Sequence, residues 1–371
     1  MIYFDSAATT LQKPASVARA VAEAIGTVTT PGRGDHPAAR RAAELMLNCR
    51  TEAAELFHVA QPENVIFTSN ATHALNIAIK SLVKPGDTVV ISGYEHNAVT
   101  RPLTAIGDVT VKVVNGRLFD PEQMVDGFAR ALTGEVKTAV CTHVSNVFGY
   151  ALPVREIASL CRKRGIPLIV DASQSAGILP VDVAGWGAAY AAMPGHKGLY
   201  GPQGTGLLLC GEGQLPRPLL EGGTGSLSRQ QEMPDFLPDR LEAGTHNVHS
   251  VAGLLEGIRF VKERGLARIA RQEGEIMAAL GEGLEQLGRF RVFRDRETES
   301  SVLSVVPLEE DPEVLAARLA EQDVALRAGL HCAPLAHMTA GTAKTGTVRF
   351  SASVFNTMAE VEQVLRLLAA R

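Results

Sequence analysis

Leu168-Ile169-Val170-Asp171-Ala172-Ser173-Gln174 is a short apolar run closed by a carboxylate. Upstream lies a helical pattern over 154–164, stopped by Gly165, and before that a β-branched run over 138–142. Downstream, the strand-like run 188–193 leads into Pro194-Gly195-His196-Lys197-Gly198. Strand, helix, strand is the unit of a parallel sheet, because parallel neighbours need a crossover long enough to bring the chain back. The alternation extends from about residue 15 to residue 210: further strand-like runs cover Val65–Thr68, Thr88–Ser92, 109–114 and Gly206–Cys210, with helix-like segments over 72–82 and Pro121–Ala131. The pattern predicts an α/β fold, a mostly parallel sheet with helices on both faces. In such sheets ligands bind beyond the carboxyl ends of the strands, so polar groups that follow strands are the site candidates.

A loop-rich stretch, 211–247, interrupts the alternation. Helical patterns over 249–264 and 266–288 follow, then strand-like 302–306, helical 312–321, strand-like 348–352 and a closing helix over 358–370. A chain of 371 residues exceeds what one core usually supports. The expected division is a large ligand-binding domain over 15–250 and a smaller α+β domain formed by 1–14 and 251–371. Cys332 and Arg349 would then face the large domain across a cleft.

Composition narrows the function classes. A 46% hydrophobic, 20% charged chain of net charge −4 reads as soluble and globular, with no reason to expect nucleic acid or an anionic membrane as partner. No run approaches the ~20 apolar residues that span a bilayer. The opening MIYFDSAATTLQKP lacks the basic-then-apolar order of a signal peptide, so a cytoplasmic location is expected. Five cysteines at wide, irregular spacing argue against a disulfide framework and a four-ligand zinc site, and no metal is expected. Cys49, Cys141, Cys161 and Cys210 sit in apolar or helical settings and read as small buried residues. Cys332, beside a histidine in a Gly- and Pro-bearing loop, is the exception.

Asp171 would end its strand partly buried, which is costly unless a cation or hydrogen-bond donors meet it. The protonated ring nitrogen of pyridoxal phosphate (PLP) would be such a partner, since the acid keeps the ring an electron sink. The alternative is a helix N-cap, with Gln174 three residues on as in a capping box. Lys197, between glycines after the next strand, can approach a ligand closely and form the Schiff base that PLP chemistry requires. It is not a phosphate-loop lysine, because Gly201-Pro202-Gln203-Gly204 follows rather than precedes it. A solvated lysine is the plain alternative.

These segments, with Asp5-Ser6-Ala7-Ala8, Glu95-His96, His143-Val144-Ser145-Asn146, Glu242-Ala243-Gly244-Thr245, the stretch 327–333, Arg349 and Asn356-Thr357, occur in an order and spacing that resembles the cysteine desulfurases. These are fold type I PLP enzymes of the class V aminotransferase group, and the nearest subgroup carries its cysteine in an Arg-x-Gly-x-His-Cys-Ala loop. The resemblance runs nearly end to end and implies homodimers that take L-cysteine, or L-selenocysteine, and pass sulfur to an acceptor protein. It implies that Lys197 carries PLP and that Cys332 becomes a persulfide, with His331 and Arg327 as candidates to favour its thiolate. His96 would stack on the ring, while Asn146 and Gln174 would hydrogen-bond its phenolic oxygen or the bound substrate.

Ala71 and Thr72, opening a helix, would bind the phosphate through unpaired N–H groups and a hydroxyl, with His196 in reach. Thr245, or Thr224 and Ser226, would reach the phosphate of a second subunit. Arg349 would clamp the substrate carboxylate, an internal salt bridge being the alternative.

Three departures stand out. Pro194 replaces the usual hydroxyl residue and removes a phosphate donor. Leu330 stands where a second histidine is frequent. The Gly/Thr-rich stretch 335–347 is slightly longer than in close relatives and reads as a linker that leaves the cysteine loop mobile. Rival readings are a transaminase, an epimerase-like enzyme or a selenocysteine lyase on the same fold, and a non-catalytic PLP-binding or sulfur-relay protein.

Overall fold

The structure, a computed structural model, describes residues 1–32, 34–295 and 300–370. Its strands are β1 (Ile2–Tyr3), β2 (Val65–Thr68), β3 (Thr88–Ser92), β4 (Thr110–Val114), β5 (Val136–Thr142), β6 (Leu168–Asp171), β7 (Tyr190–Pro194), β8 (Gly206–Cys210), β9 (Phe290–Phe293), β10 (Val302–Pro307), β11 (Val324–Ala325), β12 (Arg327–Gly329) and β13 (Thr347–Ser351). Seven of them form one sheet in the order β2-β8-β7-β6-β5-β3-β4. Only β8 runs against its neighbours there; the other pairings are parallel. The expected α/β class holds.

Burial explains why these strands read clearly. Every residue of β6, β7 and β8 is buried, so each is a continuous apolar run, as strands covered on both faces require. Apolar clusters on the two sides, one around Phe128, Leu168 and Leu254 and the other around Leu75, Ile77 and Ile169, hold the helices down. β4 is the open edge, blunted by Lys112.

The strand order reverses between β3 and β5, which opens a crevice at their carboxyl ends. Parallel direction therefore gathers the residues after β3 (Glu95, His96), after β5 (Asn146), at the end of β6 (Asp171) and after β7 (His196, Lys197) along one rim.

A second sheet, β12-β13-β10-β9, is antiparallel. It shares an apolar cluster with the helices Leu266–Leu287, Pro312–Ala320 and Met358–Ala369, and with Ile2 and Phe4. β1 pairs with β11, and Asp5 bridges to Ser351, so the first residues lie against this sheet. The helix Val248–Arg264 packs on the helices Ala15–Thr27 and Pro37–Leu56. No helix among the described residues is long and apolar enough to cross a membrane.

One alternative reading and one expectation are corrected. No helix begins directly after Asp171: residues 173–178 form turns, and Asp171 Oδ1 accepts from the Ser173 N–H at 2.9 Å. The stretch 335–347 is not an open linker, since the helix Pro334–Ala340 occupies its first half and β13 begins at its end. Ala336 and His337 bury that helix, fastening the residues just after Cys332.

Candidate active site

The crevice is a cleft of about 120 Å³. Ala71, Thr72, His96, Asn146, Asp171, Gln174, Pro194, His196 and Lys197 all line it. Nine sequence-predicted positions from five separate segments thus meet in one cavity.

Lys197 follows β7 in a tight approach. A Cβ on Gly198 would lie 2.4 Å from the Ala176 carbonyl oxygen, so only glycine permits the packing that turns the lysine into the cleft. Burial, then the Arg349 guanidinium, lowers the Lys197 amine to about 8, against the opposing pull of Asp171 and Asp5. An amine so placed is available as a nucleophile near neutral pH. Asp171 is buried on the adjacent strand, and its field opposes the lowering at both Lys197 and His96.

His96 caps the helix Asn97–Ile106, with Nδ1 accepting from the Ala98 N–H at 3.0 Å. That bond puts the proton of the neutral ring on Nε2. Burial lowers the His96 pKa, which favours the neutral ring. Glu95 beside it is wholly buried; Oε1 accepts from Ser92 Oγ at 2.5 Å and from the Thr142 N–H at 2.7 Å, while Oε2 has no partner. Burial raises it to about 8, so the carboxyl is neutral near pH 7.

At the other end the helix Ala71–Leu82 points its N-terminus into the cleft, capped by Asn70 Oδ1 on the His73 N–H at 2.9 Å. His196 is neutral, lowered to about 4 by burial and then by Lys197 and Lys13, so it offers a hydrogen bond rather than charge. Gln174 is buried and donates to the Ala7 carbonyl at 3.0 Å. Thr245 lies outside this cleft, lining a separate cavity with Ser69, His73 and Gly204. Thr224 and Ser226 bond to each other at 3.1 Å.

Cys332 is exposed, while the other four cysteines are buried and three of them, Cys49, Cys161 and Cys210, are pushed up to about 12 by burial. His331 and Cys332 both take left-handed backbone, φ 47 and 56. That costs non-glycine residues free energy. The Cys332 carbonyl accepts from the Asn97 N–H at 2.8 Å, and the His331 carbonyl accepts from Asn146 Nδ2 at 2.8 Å. The cysteine loop is therefore docked on two segments that line the cleft.

His331 does not supply the cation expected of it. It is buried, its Nε2 lies 3.1 Å from the Thr347 carbonyl, and burial followed by Arg349 drives it down to about 3. The Arg349 guanidinium interacts electrostatically with Cys332.

Arg349 forms the internal salt bridge that was its alternative reading, Nη2 to Asp5 Oδ1 at 3.0 Å. Its Nη1 donates to the Asn146 carbonyl at 2.9 Å, and its buried Nε has no partner. The same Asp5 meets Arg327 through Oδ2 at 2.9 Å.

The N-terminal segment also reaches the lysine turn. The His196 carbonyl accepts from the Thr10 N–H at 3.1 Å, with Thr9 Oγ1, Thr10 Oγ1 and Lys13 Nζ all within 3.2 Å of it. Asp5 to Lys13 thus braces the lysine turn, Gln174 and Arg349 together. The signal in the sequence is the run Asp5-Ser6-Ala7-Ala8.

An amine, a carboxylate, an imidazole and a helix N-terminus around one cleft suit an aromatic aldehyde phosphate. The aminotransferase class-V family model matches residues 2–364. The chain belongs to that family. Among its class-V relatives, a "Probable cysteine desulfurase" of Methanothermobacter thermautotrophicus is 32% identical over 97% of this chain and 92% of its own length. One of Mycolicibacterium paratuberculosis is 30% identical over 99% of this chain but only 54% of that longer protein. Among solved structures, the apo cysteine desulfurase of Thermococcus onnurineus NA1 superposes with a TM-score of 0.91 at 30% identity, covering 99% of this chain and 94% of that one. The cysteine desulfurase CsdA of Escherichia coli gives 0.87 at 25% identity, covering 99% and 93%.

Proposed function

We propose that the protein is a PLP-dependent cysteine desulfurase that converts L-cysteine to L-alanine and receives the sulfur on Cys332. The observation that supports this most is an exposed thiol docked by its own backbone on the N-terminus of the helix that His96 caps, at the rim of a cleft holding Lys197 and Asp171. A transaminase needs the lysine and the acid but no such thiol.

In this reading Lys197 would tether PLP, Asp171 would be the acid for its ring nitrogen, His96 would cover the ring, and the N-terminus of the helix Ala71–Leu82 with Thr72 and His196 would take the phosphate. PLP when bound supplies the electron-withdrawing ring that makes the substrate's α-proton acidic. Pro194 offers no N–H or hydroxyl there, so the phosphate relies on the helix end.

The residues do the rest. Arg349 seats the α-carboxylate, with Asn146 beside it, and the Lys197 amine moves a proton at the α-carbon. The Cys332 thiolate then bonds to the substrate sulfur as the carbon–sulfur bond breaks. The carbon skeleton keeps the bonding pair and takes up a proton to leave as alanine, and Cys332 holds a persulfide. Discharge to an acceptor protein belongs to the same proposal, favoured by the exposure of Cys332. So does a homodimer: Thr245 lies outside the cleft of its own chain, and its expected phosphate contact requires a second copy.

The test is alanine formation from L-cysteine by the purified holoprotein, with loss of the PLP–lysine absorbance in Lys197→Ala. Absence of alanine with the absorbance intact would remove the desulfurase reading while leaving a PLP protein.

A further inference from the structure

Arg327 on β12 and Arg349 on β13 are directly opposed in an antiparallel pair. Like charges directly opposite destabilise a ladder, because their side chains leave backbone positions only about 5 Å apart. Asp5 comes between them from the N-terminal segment, one carboxylate oxygen on each guanidinium at 3.0 and 2.9 Å. Two cations and one anion leave a single positive charge. The Arg349 fork is not filled by these contacts, since its buried Nε has no partner. The cluster also reaches into the cleft, because Lys197 senses Arg349, Asp5 and Arg327.

We propose that Asp5 sets the charge of the carboxylate seat, cancelling one of two facing guanidiniums so that the pair is matched to one incoming carboxylate. Asp5 is here a positioning residue that both orients Arg349 and competes with the substrate for it. The inference rests on the proposed role of Arg349. An internal anion that shares a ligand's partner weakens that ligand's binding.

The experiment is calorimetric titration of L-alanine, which carries the carboxylate and no sulfur, into the holoprotein. Asp5→Asn raises the net charge of the cluster and should tighten L-alanine on the order of tenfold. Arg327→Gln lowers it and should weaken L-alanine by about threefold, less because that side chain is half exposed and screened. The double variant should fall between the two, about threefold tighter than the parent. Weaker binding by Asp5→Asn, as from a carboxylate that only holds Arg349 in place, overturns the proposal.

Should Asp5→Asn fail to fold, Arg327→Gln alone decides, and unchanged or tighter binding in it overturns the proposal. Arg349→Gln separates the two levels. If it leaves L-alanine affinity unchanged, the carboxylate seat itself is misplaced; if it weakens binding while Asp5→Asn does nothing, only the role of Asp5 falls.

Discussion

The backbone carbonyl of Cys332 accepts a hydrogen bond from the N–H of Asn97 at 2.8 Å. Asn97 is the first residue of the helix that His96 caps. One peptide therefore links the proposed ring-covering imidazole to the proposed nucleophile, and it does so through a helix donor that would otherwise be unpaired.

That bond can be removed with little else. Proline is tolerated at the first helical position, and His96 has the extended backbone that a following proline demands (φ −76, ψ 158). Asn97→Pro should cost no more than about 1 kcal/mol of stability, the worth of one hydrogen bond. It should cut kcat for cysteine several-fold, while Asn97→Ala keeps the parent rate. Equal rates in the two variants would show that the tether does not position Cys332.

His96 has two separable duties. Asparagine caps helices well and alanine does not, a difference of about 1 kcal/mol. His96→Asn should keep the parent melting temperature and His96→Ala should lose about 1–2 °C, whereas both should lose most activity. If asparagine restores activity along with stability, the ring has no role beyond the cap.

Glu95 makes a pH prediction. Its carboxyl is raised to about 8, above its unfolded value of 4.5, so the folded state binds more protons between those limits. Stability from this group is complete below the lower value and is lost as pH rises toward 8. Denaturant unfolding from pH 5 to 8 should show the parent losing stability relative to Glu95→Gln. Glu273, raised to about 8 in the same way, is present in both proteins and cancels. A parallel pH dependence would mean that Glu95 is ionised in the fold.

Arg349 is the second cause, after burial, of the lowered Lys197 amine. Arg349→Gln should move the Lys197 titration upward from about 8 in the cofactor-free protein, read by carbon NMR of the labelled methylated amine. A downward shift would contradict the arrangement of charges around the lysine. The same variant should lose stability, because it takes from the Asp5 carboxylate the buried one of its two guanidinium partners.

The central strands were legible because β6, β7 and β8 are buried on both faces and admit only apolar residues. Lys197 and Asp171 were legible for a related reason: charge at the end of such a run has to serve something. The helix Asn97–Ile106 was harder to see, since Pro102 interrupts its pattern, and β9 has only four residues, two of them half-buried aromatic and aliphatic. Arg349 was read toward the substrate, yet its partner Asp5 lies at the far end of the chain, and no periodicity links residues so distant. His331 looked cationic beside Cys332; burial, which no neighbouring residue announces, makes it neutral. Gln174 looked like half of a capping box, and the helix it would cap does not form.

The most direct test of sulfur abstraction is peptide mass mapping after one equivalent of L-cysteine is added to the holoprotein without reductant. The account predicts one added sulfur atom on the peptide holding Cys332 and none on those holding the four buried cysteines, with an equivalent of alanine released. Alanine formed while the Cys332 peptide keeps its original mass, with the sulfur free in solution or on another cysteine, would contradict it.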